Sequence, residues 1–235
     1  MDNYINKKFV ASYSGGKDST LAIYRAIQKG MKPIGLITTY NTDRNRSWFH
    51  GIPTDLLNKI SKEINIPIEL IVTNGEMYRE NFVSKLKSSR EQGAEICVFG
   101  DIDIEGHLKW CTDVCIEAGI KAYFPLMYEN RKNIVYEFID LEFKSIITTV
   151  DNSRMSNSFL GKILSRDIVN EIEKNGADIC GENGEYHTFA FDGPLFSNPV
   201  QFSTEEIIHV DNYSTLPIKW QQPKLTNFGC CHPEL

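Results

Sequence analysis

Two short stretches of the chain concentrate side chains capable of chemistry. The first is Ser14-Gly15-Gly16-Lys17-Asp18-Ser19. Glycines let a backbone approach an anion and take positive φ without strain. A helix starting here would present unpaired N–H groups and its positive dipole end. Ser14 and Ser19 add hydroxyl donors and Lys17 adds a point charge. Asp18 favours the dipole and is placed to hold Mg²⁺. Neither of the commoner phosphate loops, GxxxxGK[ST] and GxGxxG, is present. The structural alternative is a Gly-Gly turn before an Asp-Ser helix start.

The second stretch is Cys180-Gly181-Glu182-Asn183-Gly184-Glu185-Tyr186-His187-Thr188. Carboxylates beside glycines can meet a ligand closely, hold a cation or take a proton. Glu182 and Glu185 are the candidate catalytic groups, and Asn183 and His187 the candidate substrate contacts. A polar turn before a strand is the alternative. Asp101, in Gly100-Asp101-Ile102-Asp103, is a candidate Mg²⁺ or substrate ligand, or else caps the next helix. His107 and Trp110 share a face of that helix and either flank a site or form an amphipathic rim. Cys111 and Cys115 fall on its apolar stripe with Leu108 and Ala118, which assigns them to the core. His50 is either a substrate contact or a solvated loop residue. Cys230-Cys231-His232 near the end binds metal or is part of a frayed tail.

The elements that must position these residues follow from periodicity. Apolar, β-branched runs at 8–13, 33–40, 68–73, 96–99 and 122–126 alternate with helical patterns at 18–29, 54–64, 76–91 and 104–118. Such strands imply a parallel sheet covered on both faces, a Rossmann-like (HUP-type) α/β fold. Ligands then bind beyond the carboxyl ends of the strands, so functional residues should follow Tyr13, Tyr40, Thr73 and Phe99. Thr39, at the end of the second strand, is a candidate nucleotide contact. Beyond residue 126 the pattern loosens into helices at 134–141 and 160–174, and strands at 145–150, 187–192 and 207–210. This reads as a smaller C-terminal α+β domain, with the boundary between 1–125 and 126–235.

The 235 residues carry 25 Lys and Arg against 31 Asp and Glu, a net charge of −6. Residues 1–125 hold 16 basic and 15 acidic side chains, net +1; residues 126–235 hold 9 and 16, net −7. A pI near 5.4 argues against broad nucleic-acid binding. No apolar run reaches the length of a membrane span, and the N-terminus lacks a signal-peptide layout. Six cysteines without a CxxC pair read as reduced thiols of a cytoplasmic protein.

The first motif, SGGKDS between strand and helix, resembles the pyrophosphate-binding loop of the N-type ATP pyrophosphatases, in the adenine nucleotide alpha-hydrolase superfamily. CGENGEYHTF, followed by Asp192-Gly193-Pro194-Leu195-Phe196, resembles the diphthine–ammonia ligase family. Leu160-Gly161-Lys162 and Gly100-Asp101-Ile102 match further elements of that pattern, which runs from about Phe9 to Phe196.

The resemblance implies an ATP-dependent ligase with ATP and Mg²⁺ as cofactors. A substrate carboxylate is adenylated, pyrophosphate leaves, and ammonia displaces AMP. It places ATP on Ser14, Gly15, Gly16, Lys17, Asp18, Ser19 and Thr39, with Mg²⁺ on Asp18 and Asp101. Lys17, Asp18, Asp101, Glu182 and Glu185 become catalytic, and His50, Asp101, Trp110, Asn183 and His187 meet the substrate. The family's substrate is diphthine on elongation factor 2, whose quaternary ammonium an aromatic such as Trp110 can hold. Where the source organism lacks diphthamide, another carboxylate is implied. No glutaminase is encoded, so free ammonia or a separate subunit supplies nitrogen. Monomer and homodimer stay open. The competing readings are a pyrophosphatase acting on another small molecule or on tRNA, and a nucleotide-binding sensor without turnover.

Overall fold

The computed structural model describes residues 4–41, 46–47 and 50–221. Parts of the loop before His50, and Cys230, Cys231 and His232, lie outside the described residues.

The first half is built from β1 (Lys8–Ser12), α1 (Lys17–Gln28), β2 (Lys32–Asn41), β3 (Arg46–Ser47), α2 (Thr54–Glu63), β4 (Ile68–Val72), α3 (Tyr78–Glu91), β5 (Ile96–Val98), α4 (Glu105–Ala118) and β6 (Lys121–Tyr123). The parallel strands run β4-β2-β1-β5-β6 across the sheet. The short β3 adds antiparallel to the end of β2. Strands succeed one another outward from β1 to β4, then restart at β5 on the other side of β1. The order therefore reverses between β1 and β5, which is where such sheets open a ligand crevice.

Side-chain alternation explains why both faces are covered. Along β1, Phe9 and Ala11 enter one core, while Val10 enters a second. The second core is filled by Phe82, Val83 and Leu86 of α3 and by Cys111, Val114 and Cys115 of α4. Leu21 and Ile23 of α1 and Leu56, Leu57 and Ile60 of α2 cover the opposite face. The assignment of Cys111 and Cys115 to the core agrees with their burial. Helix α4 ends at Gly119, whose φ of 72° closes the turn.

The second half carries α5 (Arg131–Asp140), β7 (Lys144–Asp151), α6 (Arg166–Lys174), β8 (Tyr186–Asp192), β9 (Phe202–Thr204), β10 (Ile208–Val210), β11 (Tyr213–Thr215) and β12 (Ile218–Trp220). Its antiparallel sheet runs β10-β11-β7-β8, and β12 pairs with β9. The expected helix over 160–174 starts only at Arg166. Residues 161–164 instead lend their backbone to β7: Gly161 N–H donates to Ile147, and Leu164 N–H to Ser145. Ser165 then caps the helix by accepting from Ile168 N–H. The fifth parallel strand stops at Tyr123, short of Pro125, which has no N–H to donate.

The cores of the two sheets are not separate. Phe138, Phe143, Ile147 and Phe189 belong to the same buried cluster as Phe9, Leu21 and Leu56. Phe189 is fully buried and meets Phe202 edge-on, with ring centroids 5.2 Å apart. Phe189→Ala is therefore expected to destabilise the protein by about 3–5 kcal/mol. Unfolding in urea, followed by tryptophan fluorescence and circular dichroism, should remain one coincident transition at a lower midpoint. Two separated transitions would show that the halves unfold independently.

Candidate active site

The carboxyl edge of the parallel sheet and the loop before β8 line a half-open cleft of about 680 Å³. Each strand end named from the sequence contributes to its wall. Ser14, Lys17 and Asp18 follow β1, His50 follows β2, Tyr78 follows β4 and Asp101 follows β5. Glu182, Asn183 and His187 close the side formed by the second half.

The loop after β1 is fixed at its start. Tyr13 N–H donates to Ile37, and Thr38 Oγ1 donates to Tyr13 O at 2.8 Å. Gly15 has φ +84°, and a side chain there would collide with Ile52. At Gly16 a Cβ would lie 2.5 Å from His50 Cε1. Gly16 caps α1 without a side chain, so the first turn is not blocked by its own cap. Ser14 Oγ accepts from Gly16 N–H and lies 3.1 Å from Ser19 Oγ. Gly100 packs directly against this turn; a Cβ there would sit 2.7 Å from Ser19 N.

Lys17 is buried, yet it is held as an ammonium. Burial is the largest influence and acts to lower its pKa, but Asp18, Tyr186 and Cys180 together outweigh it and the net shift is upward. Its Nζ donates to Asp18 Oδ2 at 2.7 Å and to the Cys180 carbonyl, 5.5 Å from the Tyr186 ring centroid. The other carboxylate oxygen, Asp18 Oδ1, is buried without a partner. Asp101 lines the same cavity; burial raises its pKa, and His107 Nδ1 lies 3.6 Å away. It does not cap α4, whose N-cap is Ile104. Among the described residues no three His, Cys, Asp or Glu side chains cluster to hold a metal alone. An orphaned Asp18 oxygen facing a second carboxylate instead fits Mg²⁺ whose remaining ligands come from phosphate and water.

Glu182 meets the opposite wall, accepting from Ile102 N–H at 3.4 Å. Burial, reinforced by the Asp18 charge, pushes its carboxyl up to about 7. His50 donates Nδ1–H to Thr188 O across 2.7 Å, and burial lowers its pKa to about 3. His187 is lowered too, again by burial. Trp110 lines the cavity beside Tyr78, ring centroids 5.7 Å apart.

Four expected site residues do not line the cavity: Gly15 and Gly16, which shape the turn beneath it, and Glu185 and Thr39. Glu185 is 5% exposed and turns to Asn183, accepting from its N–H at 3.1 Å and its Nδ2 at 3.2 Å. Arg154 lies 3.7 Å from it. The short turn around Gly184 folds this carboxylate back on its own loop, so it braces Asn183 and is not aimed at a bound reactant. Thr39 is buried and hydrogen-bonds Tyr78, so it touches the site through that ring. Sequence reasoning also passed over Arg131 and Asp178. Arg131 pairs with Asp103 and Asp178, and Asp178 accepts from Cys180 N–H and Glu182 N–H. This tie holds the Glu182 loop against the Asp101 loop. Only its position two residues before Cys180 could have singled out Asp178.

A Rossmann-like sheet with this loop at its switch point defines a PP-loop protein of the adenine nucleotide alpha-hydrolase class. Residues 7–122 match the diphthamide synthase N-terminal domain, and residues 130–222 match the diphthamide synthase C-terminal domain. The chain belongs to the diphthamide synthase family. It is 24% identical to the diphthine–ammonia ligase of Danio rerio, over 87% of this chain and 90% of that protein. It is 30% identical to the Rattus norvegicus diphthine–ammonia ligase over 41% of this chain, and 19% identical to the Schizosaccharomyces pombe one over 86%. Those matches span 38% and 37% of the rat and yeast proteins. A crystal structure of a predicted subunit of tRNA methyltransferase from Methanocaldococcus jannaschii aligns with TM-score 0.44 and 15% identity, over 80% of this chain and 98% of that one.

The raised Glu182 carboxyl has a consequence for stability. The folded protein holds a proton that the unfolded chain releases at about pH 4.5, so this group lowers stability as pH rises from there through about 7. Glu182→Gln removes that loss. The difference in unfolding free energy, variant minus wild type, should grow between pH 4.5 and 7 and level off above 8. A difference that stays flat across this range would contradict the assignment.

Proposed function

We propose that the protein is an ATP-dependent amide ligase that adenylates a substrate carboxylate, releases pyrophosphate and transfers the acyl group to ammonia. The observation that carries this reading is the placement of the residue 14–19 loop opposite Glu182 and Asn183 in one cavity. A phosphate cradle and a polar acceptor wall face each other without an intervening element.

The chain's residues then divide the work. Ser14, Ser19 and the backbone at Gly15 and Gly16 cradle the pyrophosphate end of ATP, with Lys17 supplying positive charge. Asp18 and Asp101 would hold Mg²⁺, which would supply charge neutralisation to the phosphates. The substrate carboxylate attacks the α-phosphorus, and the bond to the bridging oxygen breaks. Ammonia then attacks the acyl carbon, and AMP leaves with the former carboxylate oxygen. Glu182, with a carboxyl near 7, is suited to accept the proton that the attacking nitrogen sheds. Asn183 orients the acyl group, and Glu185 keeps Asn183 in place. Trp110 and Tyr78 offer aromatic faces to a cationic substrate such as diphthine. Residues 1–125 and 126–235 act on this reading as a nucleotide-binding and a substrate-binding unit.

The reading requires pyrophosphate release that depends on both a carboxylate substrate and Mg²⁺, with AMP as the other product. Release of ADP and phosphate would overturn it. Lys17→Ala should lower kcat about 10²–10³-fold, the effect of removing one preorganised charge from a transition state. Glu185→Ala should lower kcat while leaving ATP affinity within about twofold, because the braced loop and not the phosphate cradle is disturbed. Equal losses of kcat and ATP affinity would place Glu185 in nucleotide binding instead.

A further inference from the structure

His50 and His187 come from distant parts of the chain and meet beside the phosphate loop. Their ring centroids are 4.9 Å apart with planes at 59°. His50 lies over Gly16, and Thr188, which accepts its Nδ1–H through the backbone carbonyl, also accepts Lys17 N–H through Oγ1 at 3.1 Å. The Nδ1–H bond to a carbonyl fixes the neutral tautomer of His50, leaving Nε2 as a lone pair. Both rings line the cavity, with Ser14 and Lys17. This pair is set against the anion loop, away from the aromatic wall of Tyr78 and Trp110.

We propose that His50 and His187 form a proton-accepting wall of the anion cradle, so that binding the pyrophosphate end of a nucleoside triphosphate draws one proton into the site. The inference rests on the phosphate-loop reading above and adds a ligand contact and a linkage to it. Among the described residues, the charged and titratable groups acting on the pair are Lys17 and Asp18 of α1, besides the rings' influence on each other. In the free protein, burial and Lys17 both hold the two rings neutral. A pyrophosphate group brings several negative charges within reach of those rings. At an effective dielectric of about 20, each unit of negative charge about 4 Å away raises an imidazole pKa by about three units. Two such charges carry His50 from about 3 past neutral pH, and a pyrophosphate group supplies at least that many. Two cations at this separation repel, so the pair takes one proton and not two. The proton comes from solvent, and the imidazole nitrogen that receives it becomes a donor to a phosphate oxygen. Departure of pyrophosphate returns the proton.

The test uses the full chain with inorganic pyrophosphate, a non-hydrolysable α,β-methylene ATP analogue, and AMP as the control lacking pyrophosphate. Calorimetry in buffers of different ionisation enthalpy counts the protons taken up at pH 7.5. His50→Asn preserves a donor at the position of Nδ1, and His187→Gln removes the second ring. Wild type should take up about one proton more than the double variant with pyrophosphate and with the analogue, and none more with AMP. Its pyrophosphate affinity should also steepen by up to tenfold per pH unit as pH falls, relative to the variant. Equal proton uptake by wild type and variant would overturn the proposal while leaving the phosphate-loop reading intact. Absence of any pyrophosphate binding would overturn both. Should the variants fail to fold, side-chain ¹⁵N shifts of the wild type decide: a protonated imidazole in the saturated complex supports the proposal, and two neutral rings refute it.

Discussion

The contact on which the rest of the site depends is that between β8 and the phosphate loop. Ala190 N–H donates to Gly15 O at 2.9 Å, and Thr188 Oγ1 accepts Lys17 N–H. These two bonds join segments more than 170 residues apart in sequence. They satisfy backbone groups that a glycine-rich loop would otherwise leave to water. They also set the direction of the loop before β8, since Tyr186 begins that strand and Glu182 lies four residues earlier. A phosphate cradle alone is a property of the first half. A cleft with an acidic far wall exists because β8 docks there.

Burial of these side chains changes the electrostatics. Asp18, Asp101 and Glu182 share a cavity with Lys17, which pairs with Asp18. Burial raises the carboxyls of Asp101 and Glu182, and the Asp18 charge adds to both shifts. Such a group of carboxylates is unfavourable in the empty protein and becomes favourable with a cation between them. That asymmetry is what a site built for a magnesium–nucleotide complex requires. The same burial holds His50 and His187 neutral. The cavity thus stores protonation states that an ionic ligand reverses.

Much of this arrangement was legible in the sequence because it is local. The phosphate loop lies within six residues, and its strand and helix carry clear periodicity. The parallel strands announce themselves as apolar runs because both faces of the sheet are covered. Asp101 was legible by its position after a strand, and Glu182 by its company of glycines. What escaped is non-local. Arg131 acts through Asp103 and Asp178, three positions that no periodicity connects. Tyr78 starts a helix and reads as an ordinary amphipathic residue until Trp110 is placed beside it. Glu185 was drawn to the site by its neighbours, but its side chain turns back to Asn183 within its own loop. The helix expected from residue 160 failed for a related reason: β7 claims the backbone of residues 161–164, and tertiary pairing overrides local helical preference.

The uneven charge of the chain takes on a different meaning once the fold is known. The net −7 of residues 126–235 suggests an acidic surface waiting for a cation. Yet two of the three cavity carboxylates, Asp18 and Asp101, belong to the nearly neutral half. Many acidic side chains of the second half are paired elsewhere: Glu129 and Glu137 with Arg25, Glu173 with Lys132, Asp140 with Arg166. Exposed pairs of this kind contribute little to stability. Arg25 is different, being mostly shielded and also donating to the Pro125 carbonyl, so it fastens the second half to α1. The acidic excess therefore does part of its work in docking the two halves. The charge that matters to a ligand is the small set of buried groups that this docking brings face to face.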